Sequence, residues 1–341
     1  MKFVPQLRHL LWTDFTDGNS RNALSLRIKA IATSVGAAHK DTNMKTMKTF
    51  DIGNSFLLLL LIALSTTAQA QTNSTLTAQQ ETEFAVQLAA ARPIESGQSY
   101  WIEELTWMEI RDLIADGMTT IIIPTGGIEE NGPYLATGKH NLILKATCPE
   151  IAKKLGNALC APIIKFVPEG NINPPSGSML FPGTISLSQS TYEALLSDIA
   201  SSLKQSGFTD IVLIGDSGGN QRGMANVAAT LRELWSNEIT RIHFASAFYD
   251  PGWEATEQYT ERELGIAESR NDGYHDDIWV TAMMMVADPE QVRYRQRVEA
   301  GLASINGIAI EPLDDAVELG RKMIEFRAGF AADAIRDVVS N

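Results

Sequence analysis

Short apolar runs rich in β-branched residues alternate along the chain with longer stretches whose apolar positions recur at helical spacing. The runs at 119–123, 161–167, 211–214 and 241–247 predict strands. The intervening patterns predict helices over 105–115, 142–154, 192–205 and 221–235, with Gly156 and Gly207 as stops. Strands and helices in strict alternation imply a mainly parallel α/β sheet covered on both faces. Residues 278–287, with Met283, Met284 and Met285, read as a core helix, and 306–341 as one or two amphipathic helices.

The first 70 residues stand apart from this pattern. A basic segment, Met44-Lys-Thr-Met-Lys48, precedes the apolar run 56–64 and the small-residue site Ala68-Gln-Ala70, the three parts of a secretory signal peptide. The run is shorter than the roughly 20 apolar residues a membrane span needs. We therefore expect 1–43 to be a mis-annotated extension, 44–70 a signal peptide, 71–100 a linker with a short helix around 81–91, and 101–341 one catalytic domain. The mature protein is expected to be periplasmic or secreted, with no membrane attachment after cleavage.

Charge narrows the partners further. With 41 Asp and Glu against 28 Lys and Arg, the chain is acidic, which repels phosphate backbones and leaves no expectation of nucleic-acid binding. Cys148 and Cys160 lack the Cys-x-x-Cys spacing of a zinc knuckle. Export permits a disulfide between them; two buried free thiols are an equal expectation.

Candidate chemistry gathers where the predicted strands end. The run 119–123 opens into Pro-Thr-Gly-Gly-Ile-Glu-Glu-Asn-Gly-Pro-Tyr-Leu-Ala-Thr-Gly-Lys-His at 124–140, a loop that presents Glu129 and His140. The run 211–214 opens into Gly-Asp-Ser-Gly-Gly-Asn at 215–220, which adds Asp216. Strand ends of this kind hold the sites of open α/β sheets. His275, followed by Asp276 and Asp277, supplies a second imidazole with carboxylates to orient it, whereas His243, alternating with apolar neighbours, reads as structural. The long loop 168–188, rich in proline and glycine, reads as a pocket wall. Imidazole and carboxylate together suit zinc, manganese or iron.

The 124–135 block resembles the first motif of the creatininase (creatinine amidohydrolase) family, P-x-G-S-x-E-Q-H-G-P-H-L. Ser217-Gly-Gly-Asn220 is similar to its H-G-G-N block, and Asp288-Pro-Glu-Gln-Val-Arg293 to its R-P-E-x-V-R stretch. The resemblance implies a three-layer α/β/α sandwich, a metal pair at the strand ends, hydrolysis of small linear or cyclic amides, and a hexamer. Glu129 keeps the family's first ligand. Asn131, Tyr134 and Ser217 replace histidines, and His140 stands where an aspartate is usual. His275 aligns with the histidine of the family's H-A-G-E stretch, but Ile278 and Val280 replace its acids.

The expectation is an exported, metal-dependent amidohydrolase acting on a small-molecule amide. Glu129, His140, Asp216 and Asp276 would hold a divalent ion, with zinc first in line, while His275, oriented by Asp277, would carry the proton. A metal-bound water with its pKa lowered to roughly 7 would attack the amide. Two other functions share the sequence: a non-catalytic small-ligand-binding protein on the same fold, and a serine hydrolase using Ser217 of the Gly-Asp-Ser-Gly-Gly string.

Overall fold

The computed structural model describes residues 76–269 and 274–340. Four parallel strands form the sheet: β1 (Thr120–Thr125), β2 (Ala158–Cys160), β3 (Asp210–Gly215) and β4 (Arg241–Phe244), in the order β2-β1-β3-β4. In register, Ile122 lies beside Cys160 on one side and Val212 on the other. Alternation along the strands then divides the core. Ile121, Ile123, Ile211 and Leu213 face one layer, while Ile122, Val212 and Ile214 face the other.

Numbered in chain order, the helices are α1 (Ala78–Ala89), α2 (Trp107–Ala115), α3 (Lys139–Leu155), α4 (Gln189–Gln205), α5 (Gln221–Leu234), α6 (Gly252–Arg262), α7 (Ile278–Ala287), α8 (Tyr294–Glu299) and α9 (Leu313–Ser340). Tyr192, Leu196 and Ala200 of α4 pack on the first sheet face with Met224, Val227 and Leu231 of α5. On the second face lie Leu144, Cys148 and Ile151 of α3 and Ala328, Ala331 and Ile335 of α9. The fold is a three-layer α/β/α sandwich. A third apolar cluster joins Met283 and Met284 of α7 to Ile143 of α3 and Met323 of α9, so the methionine run is core.

Four expectations change. The predicted strand 161–167 is not continuous: β2 ends at Cys160, and beyond it Ile164 and Val167 make only isolated bridges, to Thr125 and Ser186. Pro162 has no N–H to give to a ladder. His140 was expected in a loop and instead occupies the first turn of α3, behind the N-cap Gly138. In the tail, a small hairpin of β5 (Ser304–Ile305) and β6 (Ile308–Ala309) precedes one long helix. It turns on Asn306 and Gly307, both with positive φ, the residue pair that suits such a turn. Cys148 and Cys160 form a disulfide between α3 and β2, with Cα atoms 6.4 Å apart, so the free-thiol alternative does not hold.

Within the expected linker, α1 buries none of its side chains. Arg111 of α2 donates to the carbonyls of Leu88 and Ala90 at 2.7 and 2.8 Å. No described helix is long and apolar enough to cross a membrane. The expected extension 1–43 and signal peptide 44–70 lie outside the described residues.

Candidate active site

Two glycine turns at neighbouring strand ends build the floor of the site. Asn220, just after β3, donates one amide group to Thr125 O, Thr125 Oγ1 and Gly126 O, each at 2.9 Å, and so clasps the ends of β1 and β3. Asn141 of α3 fixes the first turn from the other side through the carbonyl and N–H of Gly127, at 2.8 and 3.3 Å. The glycines are required by close approach. A β-carbon on Gly127 would overlap the Glu169 carboxylate, and one on Gly219 would overlap the Pro168 carbonyl.

Between these turns runs a buried line of charge. His140 Nε2 lies 2.7 Å from Glu129 Oε1, and its Nδ1 lies 2.7 Å from Asp216 Oδ2. Asp216 Oδ1 accepts from Arg327 Nη2 of α9 at 2.6 Å. The ammonium of Lys139 sits 3.7 Å from Glu129 Oε1 and donates to the carbonyl of His275 at 3.3 Å. Ser178 Oγ donates to Glu129 Oε2 at 3.0 Å, and Ser217 Oγ to Glu169 Oε2 at 3.1 Å.

Aromatic rings enclose the cations. Arg327 lies over Phe248, Trp253 and Trp279 at 4.5, 5.5 and 5.8 Å from the ring centres. Lys139 lies 5.6 Å from Trp253, whose ring is 6.1 Å from that of His140. Such faces attract cations that have lost their water.

The two glutamates facing each other here are pushed in opposite directions. Burial works against ionisation of Glu129, but the hydrogen bond and charge of His140, with Lys139 and Ser178 behind them, outweigh it and hold its pKa at about 2. Burial and then the charge of Glu129 push Glu169 up to about 8. Burial and the Lys139 ammonium oppose protonation of His140, yet its hydrogen bonds to Asp216 and Glu129 prevail and raise its pKa. Burial lowers the pKa of Lys139 and of Arg327, against the pull of the carboxylates.

Of the residues expected in the site, the structure brings together Glu129, His140 and Asp216. Asp276 is buried elsewhere, against the Gly132 turn, where its charge acts on Arg297. His275 is exposed, and of this residue it is the backbone carbonyl that Lys139 holds. Asp277 precedes α7 beside Glu268, whose pKa burial and then Asp277 raise to about 7. Ser217 hydrogen-bonds to a carboxyl group rather than to an imidazole, so the serine-hydrolase arrangement is not formed. His243, as expected, is structural, paired with Asp210 at 2.9 Å at the other end of the sheet.

Four residues of the cluster escaped the sequence: Lys139, Glu169, Ser178 and Arg327. Only Arg327 left a legible mark, a charge on the apolar face of the tail helix between Ile324, Ala328 and Ala331. A cavity of 700 Å³ lies beside the cluster's cover, lined by Pro168, Gly170, Gly218, Gly219 and Arg222 among others. A larger one, 1030 Å³, lies between α3, α7 and α9 and contains none of the cluster residues.

The creatininase family profile, described as creatinine amidohydrolase, matches residues 103–327, more than half of the chain. The chain belongs to the creatininase family. It is 25% identical over 261 residues to creatinine amidohydrolase of Pseudomonas putida, covering 70% of this chain and 97% of that protein. A crystal structure of creatinine amidohydrolase is similar with a TM-score of 0.54 at 22% identity, over 71% of this chain and 99% of that one. A putative creatinine amidohydrolase from Bacteroides fragilis follows with a TM-score of 0.51 at 17% identity, over 72% and 98%. Related creatininase structures include a Zn-Zn type mutant, at TM-score 0.53 and 23% identity over 70% or more of each chain, and a manganese form, at 0.54 and 24% over similar spans.

The donor set of this chain does not fit such ions. Among the described residues, no three His, Cys, Asp or Glu side chains are arranged to hold a metal. The His140 ring stands between Glu129 and Asp216, so these carboxylates lie on opposite sides of it rather than around one point. A zinc site needs three or four donors converging at about 2.0–2.3 Å.

Proposed function

We propose that this creatininase-family chain hydrolyses the C–N bond of a small linear or cyclic amide, with Glu129 and Glu169 as its acid–base pair. The match over nearly the whole length of a creatinine amidohydrolase supports the reaction class. The observation that carries the assignment of residues is the placement of Glu129 and Glu169 on two loops that meet at the strand ends. They are held in opposite protonation states at neutral pH, an environment-driven separation that divides acid from base.

In this reading Glu129, ionised and fixed by His140 and Ser178, takes a proton from water as the water oxygen attacks the carbonyl carbon. Glu169, protonated and oriented by Ser217, gives its proton to the departing nitrogen as the C–N bond breaks. His140 is a positioning residue, since both ring nitrogens are engaged, and Asp216 with Arg327 sets its orientation. We also propose export, supported by the signal-like segment 44–70 and by a buried disulfide of the kind oxidising compartments preserve.

The test is release of amine or ring opening across a panel of creatinine, small lactams and linear amides. Turnover that falls sharply in both Glu129→Gln and Glu169→Gln supports the reading. A native chain that binds members of the panel and turns over none of them makes it a binding protein instead.

A further inference from the structure

We infer that Arg327 and Lys139 stand where the charge of divalent ions would otherwise be needed, so that this member of the family completes its site with its own cations and takes up no metal. Three buried carboxylates gather here, Glu129, Glu169 and Asp216, which is the raw material of a cation site. Each of the two that flank His140 already has a cationic partner besides the imidazole. Asp216 is bound by Arg327 at 2.6 Å, and Glu129 has Lys139 at 3.7 Å. Arg327 and Lys139 are 1% and 0% exposed, so neither can swing out to solvent without a vacancy opening behind it.

The imidazole supports the same conclusion. A ring nitrogen that donates to a carboxylate has no lone pair for a metal, and His140 faces a carboxylate at both nitrogens. An incoming ion would have to displace a buried cation caged by Trp253 and its neighbours, leaving that cation without its counter-charge. Nor do the donors converge on a point.

Metal content answers this without reference to turnover, so failure here leaves amide hydrolysis open, and failure of the amidase assay leaves this inference standing. The full chain is purified without chelator, offered excess zinc or manganese, desalted and measured by plasma mass spectrometry, with melting temperature followed alongside. The expected result is sub-stoichiometric metal and a melting temperature indifferent to both ions and to chelator. In the double variant Lys139→Met, Arg327→Met, the uncompensated carboxylates should bind zinc or manganese, with metal content rising several-fold and a melting temperature that the ions raise. One ion or more retained per native chain overturns the inference. So does a folded double variant that holds no more metal than the native chain. Where the variant does not fold, the content and melting response of the native chain decide alone.

Discussion

Strand β3 carries an aspartate at each end, and each aspartate holds a histidine. At its start Asp210 pairs with His243, and just past its end Asp216 pairs with His140. The first pair has one carboxylate and one further cation, Arg241, whose side chain is 53% exposed, at the edge of the sheet. The second is flanked by a second carboxylate, by Lys139 and Arg327 out of reach of water, and by two glycine turns through which other loops approach. The same residue types thus give a local clasp in one place and a buried cluster of several charges in the other. What differs is the end of the strand: loops converge at the C-terminal ends of parallel strands, where the chain must turn before each helix.

The sharpest separation of the two pairs is by turnover. Glu129→Gln should lower amidase activity by about 10²–10⁴-fold, the usual contribution of a positioned acid or base, while His243→Asn should leave it unchanged. Equal losses in steady-state assays would erase the distinction. Stability comes next. Arg327→Ala leaves Asp216 buried and uncompensated and should cost about 3–5 kcal/mol. Asp210→Asn keeps a hydrogen-bonding amide between His243 and the half-exposed Arg241 and should cost only about 1 kcal/mol; denaturant midpoints at constant m-value compare them. Replacing Cys148 and Cys160 by alanine opens a loop of 12 residues behind the helix that carries His140 and should cost about 3 kcal/mol by the chain-entropy argument.

The last difference is one of pH. Glu169 is raised from 4.5 to about 8, so the folded state keeps a proton that the unfolded chain loses. Its contribution is complete below pH 4.5 and declines as pH rises towards about 8. Glu129, lowered from 4.5 to about 2, acts in the opposite sense, contributing above 4.5 and losing that contribution as pH falls towards 2. Glu169→Gln should therefore flatten the decline in stability between pH 4.5 and 8, read from melting temperatures.

Most of the sheet could be read from local pattern because strands such as Ile121-Ile-Ile123 and Ile211-Val-Leu-Ile214 are buried on both faces and so remain apolar throughout. β2 escaped because it is three residues long and the apolar run after it contains Pro162, which composition alone does not penalise. Glu129 and Asp216 were legible because each lies within a few residues of a strand end, and His140 because it closes the glycine-rich segment that opens after β1. Glu169 was not, since nothing local tells which residue of a long loop folds back over the sheet. Lys139 is adjacent in sequence to His140, yet its burial follows from Trp253, more than a hundred positions away. Asp276 and His275 share a sequence neighbourhood that the turn before α7 divides between interior and surface.

Arg327 reaches Asp216 across 111 positions of sequence. A ribosome has therefore finished both central strands, and most of the protein, long before the guanidinium that Asp216 requires exists. Until the last helix docks, the nascent centre holds a carboxylate that has no reason to leave water, so closure of the strand ends should await the C-terminus. Stop codons or proteolytic nicks upstream of residue 327 would then not yield a slightly shortened protein with its centre intact, but a chain held open at the site itself.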